Sequence, residues 1–492
     1  MPRNLIVLSD GTGQQGGLSP DELQSNIYKI YRGTGPPSTI TADKQWAFYD
    51  AGIGTTPGGK PSLARRIWNW LCGATGLGLT RNIIDCYEQI ITLWRPDDRV
   101  FLFGFSRGAY TVRGVATVMR LCGVPLRAED GTLLADNPPK ARAVAAEAVK
   151  QVYQYALSSR DQPHAHTRDE LAVLFRQRYG SDNDGGPNAH PHFIGVFDTV
   201  AALGGRELLA YVLCAIIVVL AAVGVFAGFD AFAKTMAWFV FLMILIGGPA
   251  YLVTHIKVAR GLSNLPWWKR IRILPPRFVY YDESLGYKVG AARHALSTDE
   301  GRDSFERVKW GETGRAEQLV QIWFAGNHSD IGGSYPESES RLSDIALRWM
   351  VDEAKIAAML WDKTAVSIHP DPTGIEHDEC ERLIFRFAKK NQRLLTKDAR
   401  LHPTVFDRLR LQRVTKSDTT GPYRPKSLRN HISCDHYYHA DELIETHRAE
   451  ALVEAQRLAS EPEDENSKKP EGYWDRLIAE IQRRATLAPA VP

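Results

Sequence analysis

The chain has 492 residues, with 60 Lys and Arg against 57 Asp and Glu and a net charge of +3. That near balance excludes the broad basic field a nucleic-acid partner would need, and the runs 65–66, 269–272 and 408–413 read as solvated faces. The length allows two or three domains, or one α/β catalytic unit with insertions.

In chain order, residues 4–9 are expected to form a buried strand that ends in the turn Asp10-Gly11-Thr12-Gly13. Ends of this kind are where α/β folds place ligand-contacting loops. Residues 46–49 predict a second strand, closing in Asp50-Ala51-Gly52. Residues 65–71 suggest a short amphipathic helix, and 82–94 a helix packed on the sheet. Residues 99–105 form the next expected strand, which runs without a linker into Ser106-Arg107-Gly108-Ala109-Tyr110 and a helix to about Leu121. Further strands are expected at 192–197, ending at Asp198-Thr199, and at 318–325, ending at Gly326-Asn327-His328-Ser329-Asp330. Strands alternating with helices predict an α/β fold, α/β-hydrolase-like, with a mostly parallel sheet covered by helices on both faces. Beyond Arg341 the chain is expected to be largely helical, with loops near 370–374 and 416–425.

Two stretches break this pattern. Residues 208–229 and 235–254 are long, apolar and uncharged, and each is long enough to span a hydrocarbon core about 30 Å thick. With only residues 230–234 between them, they predict a two-helix transmembrane hairpin over 206–260. Arg206 before it and Lys257, Arg260, Lys269, Arg270 and Arg272 after it would hold both chain ends in the cytoplasm, with Trp267-Trp268 as an interfacial anchor. The expected organisation is therefore a catalytic domain in two parts, 1–205 and 261–459, the hairpin 206–260, and a polar linker and tail, 460–492. No signal peptide is expected, because Met1 to Asn4 lead straight into the first strand.

Gly104-Phe105-Ser106-Arg107-Gly108 is a G-x-S-x-G sequence with a strand before it and a helix after it, the context in which Ser106 reads as a nucleophile. Gly104 and Gly108 would relieve crowding at that turn. The Arg107 N–H would serve as one oxyanion donor, and Gly11 or Thr12 as the second. Asp10 would shape the Gly11-Thr12 loop through hydrogen bonds to its backbone. A serine needs a base and a group that orients it. His328 is the preferred base, with His294, in apparently helical surroundings, and His402 as rivals; Asp198 is the expected acid, and Asp330 a supporting group. His164, His166, His190 and His192 lack matched metal partners, and the scattered Cys72, Cys86, Cys122, Cys214, Cys380 and Cys434 read as reduced thiols. No metal or cofactor is expected. A non-catalytic membrane-bound scaffold or sensor, and an esterase or thioesterase for soluble substrates, are the alternative readings; an oligomer is compatible with any of them.

Leu8-Ser9-Asp10-Gly11-Thr12, Gly73-Ala74-Thr75-Gly76, the Ser106 motif, Gly195-Val196-Phe197-Asp198-Thr199-Val200 and His328-Ser329-Asp330-Ile331-Gly332-Gly333 occur in an order that resembles the catalytic domain of the first family of type VI secretion lipase effectors. Leu401 to Val405 and Tyr423-Arg424-Pro425 are also similar. The resemblance implies phospholipase A activity on a phospholipid or other lipid ester, with a triad mapping onto Ser106, Asp198 and His328. Gly13-Gln14-Gln15 departs from that family's usual aromatic and Asn. Together with the hairpin, it implies a bacterial inner-membrane protein with two spans, a cytoplasm-facing catalytic domain, and a membrane lipid as partner.

Overall fold

The computed structural model describes residues 2–11, 23–36, 38–52, 77–156, 159–200, 230, 233–236, 238, 256–259, 261–262, 266, 270–273, 285–302, 310–311, 315, 317–379, 393, 395–447, 450–461 and 469–487. Contacts divide the chain into two compact units: Met1–His294 with Ser304–Val320 and Trp349–Ser367, and Ala295–Asp303 with Gln321–Arg348 and Ile368–Pro492.

The first unit is built on the apolar runs expected from the sequence. Strand β1 (Asn4–Ser9) is buried at every position, as a strand covered on both faces must be. It pairs in parallel with β2 (Gln45–Asp50) on one side and β3 (Arg99–Phe105) on the other, and β3 pairs in parallel with β4 (Pro191–Phe197). The six-stranded sheet continues through β5 (Ala291–Ser297) to β6 (Leu319–Phe324), in the order β6-β5-β4-β3-β1-β2. This is the expected α/β architecture. Ser9 lies opposite both Asp50 and Gly104, so β1, β2 and β3 end almost level, and the turns that follow them share one edge.

Helices α1 (Asn26–Thr34), α2 (Leu77–Leu93) and α3 (Arg107–Cys122) supply the covering layers. Ser25 caps α1 by accepting the Tyr28 N–H at 3.0 Å. On one face, Leu5, Val7, Val100 and Leu102 join α2 and α3 in a single apolar cluster. Elsewhere Phe193 lies against Phe101 and Phe103, with ring centroids 6.0 and 5.5 Å away. A Cβ on Gly195 would come within 2.6 Å of the Met350 sulfur and 2.7 Å of Phe103, so glycine is what lets α4 (Arg341–Ile356) approach the sheet. Cys86, Cys122 and Cys434 are free and buried.

Among the described residues the second unit holds two smaller cores. In one, α5 (Pro403–Arg410) packs with Val414, Tyr423, Leu428, Tyr437 and Tyr438; in the other, α6 (Asp435–His447), α7 (Ala451–Ser460) and α8 (Tyr473–Leu487) pack together. The expected helical character holds for Arg341–Ile356, Pro403–Arg410, Asp435–His447, Ala451–Ser460 and Tyr473–Leu487; residues 357–379 are mostly turns and irregular chain, and Val414–Lys416 pairs with Thr419–Gly421 as a short hairpin.

The membrane expectation needs correction. Among the described residues, no helix is long and apolar enough to cross a membrane, which overturns the two-span inner-membrane location with a cytoplasm-facing domain. Residues 230, 233 and 234 of the expected connection are helical, as are 235, 236 and 238 of the second apolar run, and the rest of 208–229 and 235–254 lies outside the described residues. The expectation rested on apolar length and flanking charge, and apolar length alone does not separate a span from a helix buried in protein. Residues 65–71, 73–76, 267–268 and Thr12 to Gln15 also lie outside the described residues.

Gln45 ties the edge of the first unit together. Its amide nitrogen donates to the carbonyls of Thr34 and Leu360, each at 3.0 Å, and its oxygen accepts from Asn4 Nδ2 at 3.0 Å and Leu360 N at 2.9 Å. Gln45→Leu keeps the size but strands these buried groups. It is expected to lower unfolding free energy by roughly 2–4 kcal/mol, read as a lower urea midpoint; an unchanged midpoint would refute the network's importance.

Candidate active site

Ser106 follows β3 directly and takes φ +57°, ψ −120°, a backbone conformation that a non-glycine residue adopts at a cost of about 1–3 kcal/mol. The two glycines around it are required by space. A Cβ on Gly108 would sit 2.0 Å from the Ser9 carbonyl oxygen, and one on Gly104 would sit 2.4 Å from the Gly108 oxygen. The first turn of α3 therefore lies directly on the end of β1. The Ser106 N–H donates to the Phe197 carbonyl at 3.1 Å, which fixes the elbow to the last residue of β4. Its hydroxyl makes no capping bond to α3. Arg107, the first residue of that helix, is largely buried, and burial pushes its guanidinium down to about 10.

Gly11 borders the serine: a Cβ there would lie 3.5 Å from Ser106 Cβ and 3.2 Å from the Phe105 ring. Its N–H donates to Asp10 Oδ1 at 2.7 Å, so this oxyanion candidate is already engaged; Thr12 lies outside the described residues. Asp10 Oδ2 also accepts from the hydroxyls of Tyr49, at 2.8 Å, and Ser25, which makes Asp10 the organiser of the loop. Beside it, Asp50 accepts from Ser9 Oγ and Asn82 Nδ2, both at 2.9 Å. Burial pushes both carboxyls up to about 6, against the hydrogen bonds that favour the charge.

Asp198 follows β4, fully buried, at φ +38°. The next amide, Thr199 N–H, donates to His294 Nε2 at 3.2 Å, so the His294 proton resides on Nδ1 when the ring is neutral. His294 belongs to β5, not to a helix, and its ring stands edge-on to Trp310 with centroids 5.6 Å apart; the Arg113 guanidinium lies 4.5 Å over the same indole. This buried imidazole supports the turn that holds Asp198.

His328 is in the second unit, on the short helix His328–Gly332, 4% exposed. Its backbone N–H donates to Glu300 Oε2 at 3.3 Å, and Glu300 pairs with Arg302 through two contacts of 2.7 Å. Asp330 bonds the loop backbone at Asn327 N, 3.0 Å away, and meets the Nδ1 of His377 at 2.7 Å. Sequence reasoning missed His377 altogether; no local motif marks it. His402 caps α5, shares its Nδ1 with Thr404 Oγ1 at 2.8 Å and stacks on Phe324 at 4.6 Å, and burial pushes it down to about 4. His192 Nε2 is bonded to the Ala357 carbonyl at 3.0 Å. Among the described residues, no group of three or more His, Cys, Asp or Glu is placed to hold a metal.

Residues 3–228 and 255–353 match the family described as type VI secretion system phospholipase effector, Tle1-like, catalytic domain. The chain belongs to the Tle1-like family. The family resemblance seen in the motifs is thereby borne out. A protein of Saccharomyces cerevisiae, itself uncharacterized, is 25% identical over 208 residues, 41% of this chain and 27% of that protein. The crystal structure of an uncharacterized Pseudomonas aeruginosa protein is similar at 15% identity and TM-score 0.37, over 99% of this chain and 63% of that one. The Tle1 effector bound to the VgrG spike of the type 6 secretion system aligns at 15% identity and TM-score 0.34, over 76% of this chain and 77% of that one. This chain thus spans only part of the yeast and Pseudomonas relatives.

Because the folded values of Asp10 and Asp50 lie above the ordinary 3.8, the native state holds their protons longer than the unfolded chain does. Their contribution is therefore most favourable at low pH and is lost as pH rises through about 6. The Asp50→Asn variant should lose on the order of 1 kcal/mol less than wild type between pH 5 and pH 7.5, measured by denaturant titration at both. Identical pH dependence in the two proteins would contradict this.

Proposed function

We propose that this Tle1-like chain is a serine hydrolase that cleaves the acyl esters of phospholipids, phospholipase A-like, with Ser106 as nucleophile, His328 as base and Asp198 as the acid that orients it. The observation that carries the reading is the elbow itself: a serine held at φ +57° between two glycines that admit no Cβ, with its hydroxyl unused by the helix it starts. Support also comes from the order Ser, Asp, His along the chain, each residue lying just beyond a strand of one sheet.

In this mechanism the Ser106 oxygen attacks the ester carbonyl while its proton passes to His328. The negative charge that develops on the carbonyl oxygen is held by the Arg107 N–H and by the turn after β1. In that turn Gly11 and Thr12 are the candidates for the second donor, and the Gly11 N–H would have to leave Asp10 to serve. His328 then protonates the departing glycerol oxygen, and a water activated by the same imidazole releases the fatty acid from Ser106. The reaction needs no metal and no organic cofactor.

A fluorophosphonate probe should label the wild-type protein and leave Ser106→Ala unlabelled. Hydrolysis of phospholipid vesicles should fall on the order of 10⁴-fold or more in that variant. Equal labelling of the two proteins, or none of the wild type, would sink the serine mechanism in favour of a non-catalytic scaffold. Faster turnover of short water-soluble esters than of vesicles would point instead to a soluble-substrate esterase.

A further inference from the structure

The helix that carries His328 has only five residues, His328–Gly332, too short to hold its own position in water. Its first turn is closed by a capping box: Asn327 Oδ1 accepts the N–H groups of Ser329 and Asp330, both at 2.9 Å, and Asp330 Oδ2 accepts the Asn327 N–H at 3.0 Å. Gly326, at φ +113°, leads into it, and a Cβ there would strike Asp330 Cβ at 2.4 Å. A box of this kind shapes the turn without anchoring it.

The anchoring comes from a residue 47 positions further on. His377 engages the box with its backbone N–H, its carbonyl and its ring Nδ1. Its N–H donates to Asp330 Oδ2 at 3.1 Å, its Nδ1 meets Asp330 Oδ1 at 2.7 Å, and its carbonyl accepts from Asn327 Nδ2 at 2.8 Å. The ring is fixed in turn. It stacks on Tyr335 with centroids 3.6 Å apart and planes 16° from parallel, and its Nε2 lies 3.2 Å from Glu339. Tyr335 is held by Asn327 Nδ2 at 3.0 Å and donates to Glu379 at 2.6 Å, with Arg302 acting on both of those groups.

We infer that His377 is a positioning residue for the catalytic base: it clamps the turn that presents His328. The inference rests on the proposed role of His328. The charges facing the ring are Asp330 and Glu339, with Tyr335, Glu379 and Arg302 beyond; the two carboxylates hold the imidazole above its ordinary 6.5, against the burial that opposes it. Between two carboxylates the doubly protonated ring donates to both, so the full clamp exists at low pH. It loosens as pH rises through the raised value, because Nε2 then loses its proton while Nδ1 keeps its bond to Asp330.

The test compares wild type, His377→Ala and His377→Gln for vesicle hydrolysis across pH, for amide hydrogen exchange over residues 326–333 and for thermal melting. His377→Ala should lower kcat about tenfold or more with KM within about twofold, and should speed exchange in that segment. His377→Gln, whose amide can donate to Asp330 at any pH, should restore most of kcat and lack the decline of the wild type at high pH. Wild-type kcat and exchange in His377→Ala would overturn the inference. So would a loss of kcat that merely follows a loss of melting temperature and is not rescued by Gln. If the wild type shows no Ser106-dependent hydrolysis, the serine reading fails and takes the positioning role with it; accelerated exchange in His377→Ala would show that the clamp itself exists.

Discussion

How closely the first turn of α3 approaches the end of β1 governs the rest of the site. With 2.0 Å between an imagined Gly108 Cβ and the Ser9 carbonyl, nothing larger than hydrogen fits, and helix and strand meet backbone to backbone. That closeness forces the chain to reverse within one residue, and Ser106 absorbs the reversal as a positive φ. The strain persists because it is held from two sides, by the Phe197 carbonyl on the serine's amide and by Gly11 lying against its Cβ. A looser junction would let the serine relax into the helix and spend its hydroxyl on a cap.

Both units use the same device to shape a loop: a buried aspartate turned back on its own backbone. Asp10 accepts the Gly11 amide and two hydroxyls; Asp330 accepts the Asn327 amide and the amide and ring of His377. In each case burial works against the charge, and the donors offset it. Such aspartates stiffen a loop beside a strand end.

What the sequence revealed was what is local. β1, β3 and β4 announce themselves as apolar runs, and the spacing of Gly104, Ser106 and Gly108 encodes the elbow in five adjacent residues. What it concealed depends on distant chain. The alanines around His294 suggest a helix, yet burial in the sheet makes that segment a strand, tertiary context overriding propensity. His377 reaches Asp330 across 47 residues with no spacing rule to signal it. The apolar stretches 208–229 and 235–254 gave a firm expectation of membrane spans because length is easily counted, whereas the surroundings that would decide what such a stretch faces are not written in it.

Neither unit is a continuous piece of chain. The first recruits Trp349–Ser367 to an edge laid down by residues 4–50, through Leu360 on Gln45 and Asp362 on Thr39. During synthesis, therefore, the β2 edge waits for more than three hundred further residues to emerge before Gln45 finds all its partners. Closures over such separations are slow, and the waiting edge is open to wrong partners meanwhile. The protein's vulnerability to aggregation should thus be greatest on the ribosome, before the late segment arrives, rather than in the finished fold.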